Sequence, residues 1–181
     1  MTKKDDNELV YEVIHGSISS FEALVDRYQK TIFNMMFRMV GDYETAKDLT
    51  QDVFVKAFEK MGGFNFKYRF FSWIYRIAVN EAINWNRKRP TTESIDRTES
   101  WLIDTAVQDR KEEKSNLLHF ELRKLETDYR VLVLLKYYCN MTYEEIAETT
   151  LIPVKKVRSR LFIAREQLKK GLIAKGFFEY D

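Results

Sequence analysis

The residues with the most chemistry to offer lie between Phe64 and Arg89, in the run FNFKYRFFSWIYRIAVNEAINWNRKR. Eight of its 26 residues are aromatic, and six cations (Lys67, Arg69, Arg76, Arg87, Lys88, Arg89) stand against one carboxylate, Glu81. Cations alone would hold duplex nucleic acid by its phosphates. Rings interleaved with cations suit an unpaired strand, because an unstacked base needs a π-face to replace the neighbour it has lost. From Phe71 onward packing explains the rings better: Phe71, Ile74, Ile77, Ala78, Ala82 and Trp85 recur at helical spacing. Upstream, Phe64, Phe66 and Tyr68 alternate with Lys67 and Arg69 after Gly62-Gly63, with no helical stripe, and read as a loop. Such a loop is expected to form a single-strand pocket beside a basic helix.

Other chemistries find no constellation in the chain. His15 and His119 stand apart from each other and from Cys139, which leaves no metal cluster and no Cys/His or Ser/His/Asp arrangement. No carboxylate pair suggests general acid–base work, and no Gly-rich loop suggests phosphate binding, so the expectation is no enzyme and no cofactor. Cys139 follows an apolar run and reads as a buried thiol; a single cysteine excludes an internal disulfide framework and suits a reducing compartment. No apolar run approaches the roughly 20 residues of a membrane span, and the amino terminus, MTKKDDNE, has no apolar leader segment. A cytoplasmic protein without direct membrane contact is expected.

The elements that must position the ring-rich stretch are helical. With only 6 Gly and 2 Pro in 181 residues, and 45% hydrophobic residues, the chain favours long helices around a packed core. Ser19-x-x-Glu22 reads as a capping box ahead of an apolar stripe through Phe21, Leu24, Tyr28, Ile32, Met35 and Met39. Gly41 ends that helix and Asp42 caps the next, whose apolar face is Ala46, Leu49, Val53, Phe54, Ala57 and Met61. The helix beginning at Phe71 closes before Pro90. Residues 1–90 are thus expected to form one helical domain.

Residues 91–114 change character. Seven carboxylates against four cations give a net charge of minus three, with Trp101-Leu102-Ile103 as the only apolar island, and the stretch reads as a flexible linker. Residues 115–181 are helical again. Thr142-x-x-Glu145 is a second capping box, opening a short acidic helix, and Pro153 suits the first turn of a long one. From Pro153 to Gly171 seven cations stand against Glu166 alone. A short acidic helix, a tight turn and a basic helix make a helix-turn-helix whose second helix would enter a major groove. The all-α expectation is therefore of two small helical domains joined by a linker.

These residues resemble the bacterial extracytoplasmic-function sigma factors, the two-domain class of the primary-sigma superfamily. DYETAKDLTQDVFVKAF, from Asp42, resembles the family's polymerase-binding helix; FSWIYRIAVNEAIN, from Phe71, resembles its melting and minus-ten helix. YEEIAE, from Tyr143, and IPVKKVRSRL, from Ile152, resemble its minus-thirty-five helix-turn-helix. The resemblance implies that Asp48, Gln51, Asp52 and Phe54 dock on core RNA polymerase. It implies that Asn80, Asn84, Arg87 and Lys88 read and hold minus-ten promoter DNA, with Trp73 and Arg76 at the duplex-to-strand junction. The loop carrying Phe64, Phe66, Tyr68 and Arg69 would take a flipped-out base of the single-stranded non-template strand. Arg158, Ser159 and Phe162 would face the minus-thirty-five groove, with Lys155, Lys156 and Arg160 on phosphate. An anti-sigma partner is implied as well, and the linker would pass near the polymerase's RNA exit path.

Departures accompany the match. Leu151 stands where the family usually has Gly, and a left-handed backbone there would cost roughly 1–2 kcal/mol. Lys155-Lys156 replaces a common Gly-Thr, and Ile163 a common basic residue. Two rival readings remain open at this point: a free-standing helix-turn-helix regulator binding duplex DNA without polymerase, and an RNA-binding adaptor using the aromatic loop.

Overall fold

The structure, a computed structural model, describes residues 4–88 and 110–177, and among these every regular element is helical. The first helix, α1 (Asp6–Ile14), lies in a stretch that reads as merely polar. Asp5 caps it, accepting from the Glu8 amide at 2.8 Å, while Glu8 accepts from the Asp5 amide at 3.0 Å. It buries Leu9, Val10 and Val13, and Asp6 accepts from both Arg27 and Tyr28 of the following helix. Burial and the neighbouring Asp6 carboxylate push the Tyr28 hydroxyl well above the usual tyrosine range.

Helix α2 (Ile18–Val40) carries the methionine-rich stripe into the core, where Met35, Met36 and Met39 are buried beside Leu24 and Ile32. Its cap is Ser17 rather than Ser19: the Ser17 hydroxyl accepts from the Ser20 amide, and the helix starts two residues earlier than the capping-box spacing suggested. At Gly41 the backbone is left-handed (φ 74°), and a Cβ there would lie 2.7 Å from Nη1 of Arg123. The left-handed backbone is what favours glycine there, since the Arg123 guanidinium is a flexible end that can move aside. Asp42 then caps α3 (Tyr43–Lys60), accepting from the Thr45 amide and hydroxyl. A 3-10 turn (Met61–Gly63) and the loop 64–69 lead to α4 (Phe70–Lys88), which buries Phe70, Ile74, Ala78 and Ala82. These four helices form one packed group.

The second group begins with α5 (Arg110–Lys124), which starts inside the acidic stretch read as linker. Trp101-Leu102-Ile103 and the remaining linker residues up to Asp109 lie outside the described residues. Helix α6 (Thr127–Tyr137) is buried nearly all round, from Arg130 to Leu135. Helices α7 (Tyr143–Thr150) and α8 (Val154–Ile173) form the helix-turn-helix, with Val157 fully buried between them and the core. The Thr142–Glu145 capping box is present as read: Glu145 accepts from the Thr142 amide at 2.8 Å, and the Thr142 hydroxyl from the Glu145 amide at 3.1 Å.

Leu151 takes the left-handed conformation (φ 58°) that the missing glycine had left open, with a side chain 72% exposed. The turn thus carries the roughly 1–2 kcal/mol cost of that backbone without a burial term to offset it. Past α8, Gly176 (φ 72°) makes another left-handed stop, with the Phe177 amide donating back to the Leu172 carbonyl at 3.0 Å. The rest of the aromatic tail lies outside the described residues.

The two helical groups are packed on one another. Arg130 of α6 donates to Met39 O at the end of α2 (3.0 Å) and to Arg123 O and Leu125 O of its own group. Burial, with Arg123 nearby, lowers its pKa to about 10. A buried cation on three carbonyls joins the groups because leaving those oxygens unpaired would cost more than ordering the side chain.

Candidate nucleic-acid interface

The ring-and-cation loop separates into two kinds of ring. Phe64 is 6% exposed and packs edge-on against Phe66, Phe70 and Trp73 at centroid separations of 5.1, 6.0 and 5.4 Å. Phe64, expected in the base pocket, lies buried in this cluster and anchors the loop. Trp73 packs in the same cluster, 5.6 Å from Phe70, and supports the loop from below. Phe66 and Tyr68 point outward, 44% and 50% exposed, on a turn closed by the Tyr68 amide donating to Asn65 O. They are the rings of this loop with exposed faces.

Along α4 the expected polar residues fall on one side. Asn80, Asn84, Arg87 and Lys88 are exposed, on successive turns from the middle of the helix to its end. Arg76 differs from them. It is half-buried, and its guanidinium donates to the carbonyls of Glu148 (2.6 Å) and Thr149 (3.3 Å) in the last turn of α7. Arg69, in the loop, is paired with Glu145 of the same helix.

In the helix-turn-helix, α8 presents Lys155, Lys156, Arg158, Ser159 and Phe162 to solvent on adjoining turns. Arg158 leans over the Tyr143 ring at 5.3 Å and lies 3.6 Å from Glu144, an exposed pair of small energetic weight. The Ser159 hydroxyl is turned back to Lys156 O at 3.1 Å. Arg160 sits at the edge of this face, half-buried and 3.6 Å from Asp128. A face of four solvated or weakly paired cations and one exposed ring at the start of a long helix is suited to phosphates and base edges.

On α3, Asp48, Gln51 and Asp52 are exposed, as a docking face requires. Phe54, expected at the same face, is 7% exposed and packs edge-on against Phe21 at 6.5 Å, beneath the exposed side chains. It lines, with Gln51, Val25 and Phe33, a groove of about 460 Å³ between α2 and α3. Sequence reading passed over Val55 and assigned Phe58 to the apolar, core-facing side of the helix, yet the two are 48% and 49% exposed one turn further on. Val55 lies four residues from Gln51 and three from Asp52, and Phe58 seven from Gln51, spacings that place them on the same face.

No helix of the described residues is long and apolar enough to cross a membrane. Among the described residues no three His, Cys, Asp or Glu side chains are grouped as metal ligands. Cys139 is half-buried, its thiol pushed up to about 11 by burial despite the Tyr75 hydroxyl and Arg38 beside it.

Comparison with known proteins agrees with the arrangement. Residues 24–91 match the sigma-70 region 2 family and residues 115–168 the sigma-70 region 4 family. The chain is 32% identical to the RNA polymerase sigma-H factor of Pseudomonas aeruginosa, over 95% of this chain and 96% of that one. It is 30% identical to the ECF RNA polymerase sigma factor SigW of Bacillus subtilis (90% and 94%) and 32% identical to the ECF RNA polymerase sigma-E factor of Escherichia coli (90% and 92%). In fold it is similar to CnrH, solved in complex with the cytosolic domain of CnrY, with a TM-score of 0.74 at 24% identity, over 93% of this chain and 97% of that one. The chain belongs to the sigma-70 family, as an RNA polymerase sigma factor of the extracytoplasmic-function type.

Proposed function

We propose that the chain joins core RNA polymerase through the α2–α3 face, places α8 in the major groove of the minus-thirty-five element, and captures an unpaired minus-ten base on Phe66 and Tyr68. The observation that carries this reading is the presence, in one chain, of two outward rings on a cation-bearing turn and a separate helix that exposes its cations to solvent. One half is built for a single strand and the other for a duplex. Asp48, Gln51, Asp52, Val55 and Phe58 would make the polymerase contact; Asn80, Asn84, Arg87 and Lys88 would follow the minus-ten strand; Lys155, Lys156, Arg158, Ser159 and Phe162 would meet the upstream duplex, with Arg160 at its margin. The chain performs no catalysis in this reading, and the bond-making chemistry is the polymerase's. Residues 1–90 and 115–181 act as the two promoter-binding domains, joined by 91–114, and the setting is the cytoplasm, with envelope or other stress as the inducing condition.

Magnitudes explain why polymerase is required. Opening duplex costs about 1.4 kcal/mol per base-pair step, whereas stacking one base on an aromatic returns about 1–3 kcal/mol. One loop cannot hold several steps open. Fixing the two domains on polymerase makes the second promoter contact intramolecular and raises its effective concentration. An anti-sigma factor of the kind solved with the RpoE of Bartonella quintana would act by covering these faces.

Run-off transcription with core polymerase tests the proposal. Promoter-specific transcripts are expected only when the chain is added. Tight duplex binding by the chain alone, with no polymerase-dependent transcript, would instead indicate a free-standing regulator.

A further inference from the structure

A groove of about 620 Å³ lies between α5, α6 and α8, and of its lining only Phe162 takes part in the reading above. Leu118, Leu122 and Leu168 make its lining apolar, while Arg165, Lys169 and one carboxylate, Glu166, stand exposed along α8. An open apolar groove of this kind marks a place where another segment can lie down. At one point α5 and α8 approach closely: a Cβ on Gly171 would collide with the Glu121 carboxylate. The chain itself turns back towards this groove. Gly176 is left-handed (φ 72°), its amide donates to Ile173 O at 3.0 Å, and the Phe177 amide donates to Leu172 O at 3.0 Å. That pair of bonds is the Schellman ending, which reverses the chain and commonly sets the residue after the glycine beside the one whose carbonyl it meets. Leu172 lines the groove, and Phe177 is half-buried.

We propose that this groove is the docking site of the chain's own segment Phe178-Glu179-Tyr180-Asp181, with Phe178 and Tyr180 laid on the apolar lining and Glu179 and Asp181 turned towards Arg165 and Lys169. Rings and carboxylates alternate in the segment, so an extended backbone puts the rings on one face and the acids on the other. The groove offers the matching pair of surfaces, with two cations against one carboxylate along α8. Length fits as well. Three extended residues beyond Phe177 span about 10 Å, and with a helical rise of about 1.5 Å per residue Arg165 lies about 10 Å from Leu172. Tyr180 thus comes level with Arg165 and stops short of Phe162, which stays open to the upstream duplex. Burial of the two rings supplies the attraction. The exposed ion pairs set direction more than strength. Docked in this way, the segment straps α8 to α5, the helix by which the chain enters this group. The inference goes beyond the proposed function and does not depend on it.

Chymotrypsin cuts after aromatic residues, so cleavage after Phe178 and Tyr180 in the full chain, followed by mass, reports whether the segment is docked. Each rate is taken relative to a peptide of residues 173–181 with the same sequence. Cleavage in the native chain is expected to be at least tenfold slower than in the peptide. Arg165→Glu/Lys169→Glu changes two exposed positions and should speed cleavage at least fivefold at low salt. Adding Glu179→Lys/Asp181→Lys to that variant should restore protection, a rescue that loss of helix stability would not allow. Should circular dichroism show Arg165→Glu/Lys169→Glu to be unfolded, Glu179→Lys/Asp181→Lys in the native groove carries the test and should likewise lose protection. A native segment cut as fast as the peptide would overturn the proposal. So would charge variants that leave the protection unchanged, protection that grows with protein concentration (the groove of a second copy), or protection found only with core polymerase present. None of these rates needs transcription, so they can fail while run-off activity stands, and the reverse.

Discussion

The two DNA-facing halves of this sigma factor differ in how their cations are held. On α8, Lys155, Lys156 and Arg158 project into water or lean on exposed partners, and the helix could receive a phosphate without rearrangement. On α4 and its loop, Arg76 and Arg69 are already engaged by carbonyl and carboxylate oxygens of α7. The rings repeat the division within a few residues: Phe64 is spent on packing, whereas Phe66 and Tyr68 are about half exposed. Residue type alone therefore does not say whether a cation or a ring is available to nucleic acid. Its neighbours do.

The largest expected effect separates the two kinds of ring. Phe64→Ala removes a buried ring and should cost about 3–5 kcal/mol of stability, read as a lowered midpoint in denaturant. The double variant Phe66→Ala/Tyr68→Ala should leave that midpoint nearly unchanged and reduce open-complex formation at least tenfold, given about 1–3 kcal/mol per stacked base. If both changes destabilised the fold equally, the division between anchor and reader would be lost.

Next in size is the contrast between the upstream and polymerase faces. Arg158→Ala should weaken use of the minus-thirty-five element by about 1–3 kcal/mol if its guanidinium reads a base edge, with polymerase affinity intact. Asp52→Ala should do the opposite, lowering polymerase affinity about fivefold, as for a single interface side chain worth about 1 kcal/mol. Filter binding and run-off on promoters with and without the upstream element separate the two.

Smaller still are two changes in the helix-turn-helix. Leu151→Gly relieves a left-handed leucine but loosens the unfolded chain, and should stabilise by about 1 kcal/mol or less in thermal unfolding. Glu145→Gln keeps an acceptor for the Thr142 amide and removes the charge facing Arg69. Because Arg69 is 68% accessible, although Glu145 is only 18% so, the change in stability should stay within about 1 kcal/mol.

What could be read from the chain was what is decided locally. Gly41, Asp42 and the Thr142–Glu145 box announce helix ends because the partners lie within four residues, whereas the missing glycine at Leu151 left open whether the backbone there is left-handed. Even local signals compete: Ser17 and Ser19 are both able caps, and it is Ser17 that takes the Ser20 amide. Helix α1 was passed over because its nine residues bury only three side chains, too few to show a period. Burial of Phe64 and Phe54 depends on Trp73, Phe70 and Phe21, supplied by other elements, and alternation in a loop does not reveal which ring turns inward. The contact of Arg76 with α7 spans more than seventy residues and uses backbone oxygens, which every residue possesses. No spacing could have signalled it.

Permanganate reactivity of promoter thymines tests the account most directly, with core polymerase and either the native chain or Phe66→Ala/Tyr68→Ala. Native protein should expose thymines in the minus-ten region, and the double variant should leave them protected while the upstream duplex stays bound. Equal thymine exposure with both proteins, or none with either, would contradict base capture by these two rings.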